Sequence, residues 1–214
     1  MATTNEGKAR EWNEISRALA SGAAPQFTCV EEKSPLLEIQ DIDPVQVALV
    51  KAWHAAKVYK KPVLIEDVSF GIDALGGFPG ALYAPVEKGF KPKGILDMAL
   101  QGCNLQVAST EDSVILLRNP PRATVTEVIA FLNNDGTTVS VVKVEVHGSM
   151  PPTPRGTGGF GFDPIFIPDG PNLTYAEMSP EQKNACSMRF MAIRKLLAGD
   201  SETHQLPPML DCLL

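Results

Sequence analysis

The sequence predicts an α/β protein, and three observations predict it. Helix-period patterns occupy the start and end of the chain. Short buried-type strands alternate with helices in its first half. A β-rich stretch, roughly residues 104–148, fills its centre. At 214 residues the chain is long enough for one domain with a substantial core, so residues 1–214 are read as a single domain.

The elements follow in order. Residues 6–19 read as a helix, with Trp12, Ile15 and Leu19 on one face. Residues 27–30 read as a short strand. Asp43-Pro44 is an N-cap followed by a first-position proline. The helix it opens runs to about Tyr59, with Val47, Val50, Trp53 and Ala56 as its apolar side. Lys61-Pro62 ends that segment, and residues 63–65 form a buried-type strand. Glycines and prolines mark a loop over residues 71–80, and residues 93–100 form a helix. Strands are expected at 105–108, 113–117, 123–132 and 138–146, the last two joined by the hairpin signal Asn134-Asp135-Gly136. A Pro/Gly-rich stretch follows over 149–161. Ser179-Pro180-Glu181-Gln182 then supplies a cap, a first-position proline and a capping-box glutamine. The helix beyond it is expected to bury Cys186, Phe190, Ile193 and Leu197.

Composition narrows the function. Apolar residues make up 44% and charged residues 21%, as in an ordinary globular protein. The formal charge of −6 disfavours binding to nucleic acid backbones. Cys29, Cys103, Cys186 and Cys212 are scattered, as reduced thiols in a cytoplasmic protein are. His54, His147 and His204 form no metal-ligand spacing. No run reaches membrane-spanning length, and the N-terminus lacks a signal-peptide layout.

Three segments carry chemistry. In Thr3-Thr4-Asn5-Glu6-Gly7-Lys8, Asn5 suits an N-cap and Gly7 allows close backbone approach. Lys8 falls in the first helical turn, where the macrodipole disfavours a cation unless an anion lies between them. The alternative is a solvated lysine on a capped helix. The segment is not a Walker A loop. Glu66-Asp67 follows the strand at 63–65, at the end where open α/β sheets place ligands. Together with Glu38 it offers carboxylates to magnesium, or it caps a turn. Lys51 either snorkels from the edge of its helix or binds phosphate.

The third segment is Gly158-Gly159-Phe160-Gly161-Phe162-Asp163-Pro164. Residues 156–161 spell G-x-G-x-x-G, but no helix opens there, which excludes a dinucleotide fold. One ring of Phe160 and Phe162 can stack on a base and Asp163 can bond its edge, or both rings are core. Lys183 and Arg189 follow, roughly 120° apart on an ideal helix.

In this order the segments resemble the inosine triphosphate pyrophosphatase family. The likeness runs from Ala2 to about Leu197 and includes Leu75-Gly76-Gly77-Phe78-Pro79-Gly80, Thr174-Tyr175-Ala176-Glu177-Met178 and Glu181-Gln182-Lys183-Asn184. The resemblance implies a mixed, elongated sheet with flanking helices, in two lobes around a central cleft, usually as a homodimer. It implies magnesium-dependent hydrolysis of inosine, deoxyinosine and xanthosine triphosphates (ITP, dITP, XTP) to monophosphate and pyrophosphate, with manganese as a possible substitute. By position, Thr3, Asn5, Lys8, Lys51 and Lys183 look like phosphate ligands. Glu38 and Asp67 look like the metal site, with Asp67 also the base for water. Phe160, Gly161, Phe162, Asp163 and Arg189 look like the base pocket.

Three departures stand out. Met1 nearly abuts the Thr-x-Asn loop, so the family's preceding strand is absent or cut to a residue or two. Val68 replaces a hydroxyl residue after Asp67, unless Ser69 substitutes. Met188 stands in the base pocket where the family has histidine, and a thioether cannot match an imidazole as donor or acceptor. These leave two rivals, a non-catalytic nucleotide-binding dimer and a pyrophosphatase with shifted base preference.

Overall fold

A computed structural model of the chain describes residues 5–19, 36–60, 63–104 and 119–206, with residues 2–3 and 30–31 described in backbone alone. The strands expected at 105–108 and 113–117, the start of the strand at 27–30, the Lys61-Pro62 break and the apolar tail at 209–214 lie outside the described residues. Among the described residues no helix is long and apolar enough to cross a membrane. The chain divides into two compact units. The first comprises Met1–Val68, Glu127–Val144 and Met188–Leu214, and the second Ser69–Thr126 and Glu145–Ser187.

The first unit begins with β1 (Ala2–Thr3), which pairs in parallel with β2 (Val30–Glu31). Helix α1 (Glu6–Leu19) buries Trp12 and Ile15, as its periodicity predicts. Its start is capped: the Asn5 side chain accepts the Lys8 N–H at 3.0 Å. Helix α2 (Pro44–Tyr59) opens on the Asp43 carboxylate, which accepts the Val45 N–H at 2.9 Å. Small residues on α2 let it lie close on the sheet. Val45, Ala48, Leu49, Ala52 and Ala55 pack with Ile65, Val128, Ala130, Val139 and Val141 in one core. Those partners come from β3 (Ile65–Ile72), β5 (Arg122–Leu132) and β6 (Thr138–Ser149). In sheet order β3, β5 and β6 are successive neighbours, and β8 (Glu202–Gln205) adds to β6 antiparallel, Thr138 opposite Gln205. Helix α5 (Met188–Leu197) packs on α1.

The second unit holds the other ends of β3, β5 and β6. It adds β4 (Pro79–Gly80) antiparallel to β3 and β7 (Ile167–Pro168) antiparallel to β6. Helix α3 (Tyr83–Gly102) is broken at Lys91, which stands at φ 58° just before Pro92. The residue before proline is pushed out of the α region, which accounts for the break. The core here is aromatic. Phe70 stacks on Phe162 at 5.2 Å, Tyr83 and Phe166 meet both edge-on, and Tyr175 tilts against Phe166. Helix α4 (Pro180–Cys186) has the predicted capping box, Ser179 with Gln182.

The structure corrects three expectations. The strand expected at 63–65 begins at Ile65 and runs to Ile72, so Glu66 and Asp67 lie in its first half rather than past its end. Phe70 and Ile72, both fully buried, carry the strand onward, and pairing with β4 fixes it there. The single helix expected after Ser179 is two, because Ser187 is extended at φ −83°, ψ 140°. The 120° spacing of Lys183 and Arg189 therefore does not apply. Leu197, expected inside, is 39% exposed, while Met188, Arg189, Ala192 and Ile193 form the buried face of α5.

Candidate functional site

The predicted site residues divide between the units. In the first, Lys51 projects from α2 to two carboxylates. Its Nζ donates to Glu38 Oε2 at 2.9 Å and to Asp67 Oδ1 at 3.1 Å. Lys51 is therefore neither simply snorkelling nor simply waiting for phosphate; it bridges the two proposed metal ligands. Burial opposes its charge, but Asp67 and Glu38 outweigh that and raise its pKa. Burial pushes the Asp67 carboxyl up from its ordinary value, against the pull of Lys51 and Lys8. The second oxygen, Asp67 Oδ2, is buried with no hydrogen-bond partner. Glu38, by contrast, has a half-exposed side chain.

Glu66, the other member of the acidic pair, anchors a buried ion cluster. Arg189 donates to Glu66 Oε1 through Nη2 at 2.5 Å and Nε at 3.2 Å. The Trp12 indole N–H donates to Glu66 Oε2, and Arg189 Nη1 donates to Glu11. Lys8 Nζ stands 3.5 Å from Glu66 Oε1, and Glu127 Oε2 lies 3.7 Å from Arg189 Nη2. Burial works against ionisation of Glu66, but Arg189 and Lys8 hold its carboxyl down to about 2. Glu127 moves the opposite way: burial, then the Glu66 charge, raises its pKa well above the ordinary value. Arg189, expected in a base pocket, is only 2% exposed in this cluster, and Met188 beside it is equally buried.

In the second unit the glycine-aromatic loop is built around Asp163. Its Oδ2 accepts the Phe160 N–H at 2.8 Å and the Lys183 ammonium at 2.7 Å. The same ammonium lies over the Phe160 and Tyr175 rings, 5.4 Å from each centroid. Phe162 is in the aromatic core and Phe160 is half-buried, so one ring is core and the other is not. Gly159 stands at φ 68°, and a Cβ there would collide with the Asp163 carboxylate. That close approach explains the glycine. Gly161, at φ 62°, lies against the Tyr83 ring.

Within the first unit the fold thus gathers Lys8, Glu38, Lys51, Asp67 and Arg189; within the second it gathers Phe160, Asp163 and Lys183. Asn5 caps α1, and Thr3 is described in backbone alone. Sequence reasoning missed Glu11, Trp12 and Glu127. Glu127 had a signal: it is the one carboxylate in Val125-Thr126-Glu127-Val128-Ile129-Ala130, a run apolar on both strand faces.

A six-stranded sheet with antiparallel pairings, helices packed on it, lysines bonded to carboxylates and a lysine over aromatic rings define an α/β protein whose buried charges sit in compact clusters. The chain belongs to the Ham1 family, whose sequence model matches residues 1–199. It is 34% identical to a dITP/XTP pyrophosphatase of Hyperthermus butylicus, over 92% of this chain and 90% of that one. It is 35% identical to an inosine triphosphate pyrophosphatase of Yarrowia lipolytica, over 91% and 90%. Among solved structures it resembles the Ham1 protein of Staphylococcus aureus, with a TM-score of 0.68 and 26% identity over 92% of this chain and 94% of that one.

Proposed function

We propose that this protein hydrolyses inosine, deoxyinosine and xanthosine triphosphates to the nucleoside monophosphate and pyrophosphate. The observation that carries the reading is the Glu38–Lys51–Asp67 bridge, on a chain of this family.

Magnesium takes one or two carboxylates together with substrate phosphates. Glu38 and Asp67 supply that number, and Asp67 Oδ2 is an unpartnered buried oxygen of the kind a cation satisfies. The residues fit the metal, and manganese suits the same oxygen set. When bound, the metal neutralises polyphosphate charge and supports the leaving pyrophosphate. Asp67 takes the proton of the water that attacks the α-phosphorus. The bond from that phosphorus to the bridging oxygen breaks, and pyrophosphate leaves with the oxygen. An Asp67 pKa raised by burial makes its carboxylate a stronger base. Thr3, Asn5, Lys8, Lys51 and Lys183 bind the phosphates and offset their charge. Phe160 stacks on the purine, Asp163 accepts from its edge, Gly161 and Phe162 shape the loop, and Met188 and Arg189 complete the pocket. The same reading makes the protein a cytoplasmic homodimer; sedimentation of the purified chain tests the dimer.

Incubated with ITP and magnesium, the protein is expected to yield free phosphate only when inorganic pyrophosphatase is added. Phosphate without that helper contradicts cleavage at the α-phosphorus. Asp67→Asn is expected to lower kcat by about 10²-fold or more; full activity removes Asp67 from the mechanism. One observation favours a second reading, a shifted base preference. Met188 is buried and offers no strong donor or acceptor. Comparing kcat/KM for ITP, XTP, GTP and ATP decides, and a strong preference for ITP over ATP rejects the shift.

A further inference from the structure

The ion cluster on Glu66 contains a residue that neither the reaction nor its proposed ligands use. Glu127 is 0% exposed, and neither of its oxygens has a hydrogen-bond partner among the described residues. It lies on β5 and faces Glu66 of β3, Arg189 of α5 and Lys8 of α1. Among the described residues the cluster holds three carboxyls, Glu11, Glu66 and Glu127, against two cations, Lys8 and Arg189. Fully ionised it would bury a net negative charge, which a low-dielectric interior opposes. One proton resolves this, and the contacts say where it belongs. Glu66 already accepts from Arg189 and Trp12 at both oxygens. Glu11 reaches solvent with 17% of its side chain and accepts from Arg189 Nη1. Glu127 alone has no donor within bonding distance; a hydroxyl there gains an acceptor in Glu66.

We propose that Glu127 is a positioning residue for Arg189: as a neutral acid donating to Glu66, it holds that carboxylate square to the guanidinium. Glu66 and Arg189 then stay locked without a third negative charge competing for the same cation. The proposal deepens the functional reading, because it rests on Arg189 serving the purine end of the substrate.

Two measurements test it. The first needs no activity. In isotope-labelled protein, the Arg189 Nε–Hε signal, identified by its loss in Arg189→Lys, is expected to exchange slowly with water. Glu127→Gln, which keeps a neutral donor, preserves the slow exchange. Glu127→Met, of similar volume without a donor, speeds it by about tenfold or more. Unchanged exchange in Glu127→Met overturns the proposal, as does fast exchange in Glu127→Gln. If the Met variant does not fold, Glu127→Val, smaller and suited to a strand, takes its place under the same criteria.

The second is the ratio of kcat/KM for ITP to that for ATP. A residue needed only for folding lowers both equally and leaves the ratio fixed. Glu127→Met is expected to reduce the ratio by about tenfold, and Glu127→Gln to keep it within about threefold. An unchanged ratio in Glu127→Met, with exchange altered, confines Glu127 to the fold and overturns its link to substrate. Arg189→Lys separates the two readings. If it leaves the ratio unchanged, the assignment of Arg189 to the purine fails, while the exchange result still decides whether Glu127 positions Arg189.

Discussion

Glu66 and Glu127 are two carboxyls in one buried cluster, and they respond to pH in opposite directions. The Glu66 pKa is depressed to about 2, so its stabilisation is present above the ordinary value of 4.5 and lost as pH falls toward 2. The Glu127 pKa is raised, so its contribution is full below 4.5 and declines as pH rises through the folded value. Over that upper window the folded state keeps a proton that the unfolded chain has released. Glu127→Gln carries no such proton. Its stability relative to the parent should therefore improve steadily as pH rises above about 4.5, read by urea unfolding of both proteins from pH 4.5 to 8. A difference that stays flat with pH contradicts a protonated Glu127. The charged groups facing it are Glu66, Arg189 and Lys8, and all three are retained in the variant. At this scale the sequence revealed residue types but not their pairing. Lys51 could be read as surface or site, and only the fold put it on both Glu38 and Asp67. Glu127 stood out in an apolar run, yet its partners lie far away in sequence, at positions 8, 66 and 189.

Elements were legible where their signals are local. Asp43-Pro44 and Ser179-Pro180-Glu181-Gln182 each mark a helix start within four residues, and both helices begin there. The hairpin at Asn134-Asp135-Gly136 is equally local. Asp135 accepts the Thr137 and Thr138 N–H groups at 2.7 and 2.8 Å, and Gly136 takes φ 70°. Elements set by distant partners were not legible. The length of β3 depends on pairing with β4, so a strand read as three residues extends to eight. The expected helix at 93–100 is only the second limb of α3; Pro85 and Gly89 interrupt the helix period of the first, which had no reading. The cap on α4 gives a direct test. Ser179 Oγ accepts the Gln182 N–H at 3.2 Å, and Gln182 returns a bond to the Ser179 N–H at 2.9 Å. Ser179→Ala is expected to destabilise the protein by about 1 kcal/mol. Because α4 carries Lys183, the variant should also raise KM for ITP with little change in kcat. No loss in denaturant unfolding and no change in KM would mean that α4 is held by its packing alone.

At the scale of the molecule, each unit carries its own cluster: Lys8, Lys51 and Asp67 in the first, Phe160, Asp163 and Lys183 in the second. A chain with a formal charge of −6 has no general attraction for a triphosphate. Affinity must then come from a few lysines and a metal. An ITP analogue with a methylene group in place of the α–β bridging oxygen binds without turnover. At 100 times its Kd with magnesium, it should stabilise the folded protein by about 2.7 kcal/mol. For a chain of this size that raises Tm by about 5–10 °C. Hydrogen exchange locates the effect. The Lys8 N–H, bonded to Asn5, reports on the first unit, and the Phe160 N–H, bonded to Asp163, reports on the second. Each is expected to slow at saturating analogue. A Lys8 N–H that stays unprotected takes phosphate binding away from the first unit's lysine–carboxylate cluster. A Phe160 N–H that stays unprotected takes base recognition away from the second unit's aromatic loop.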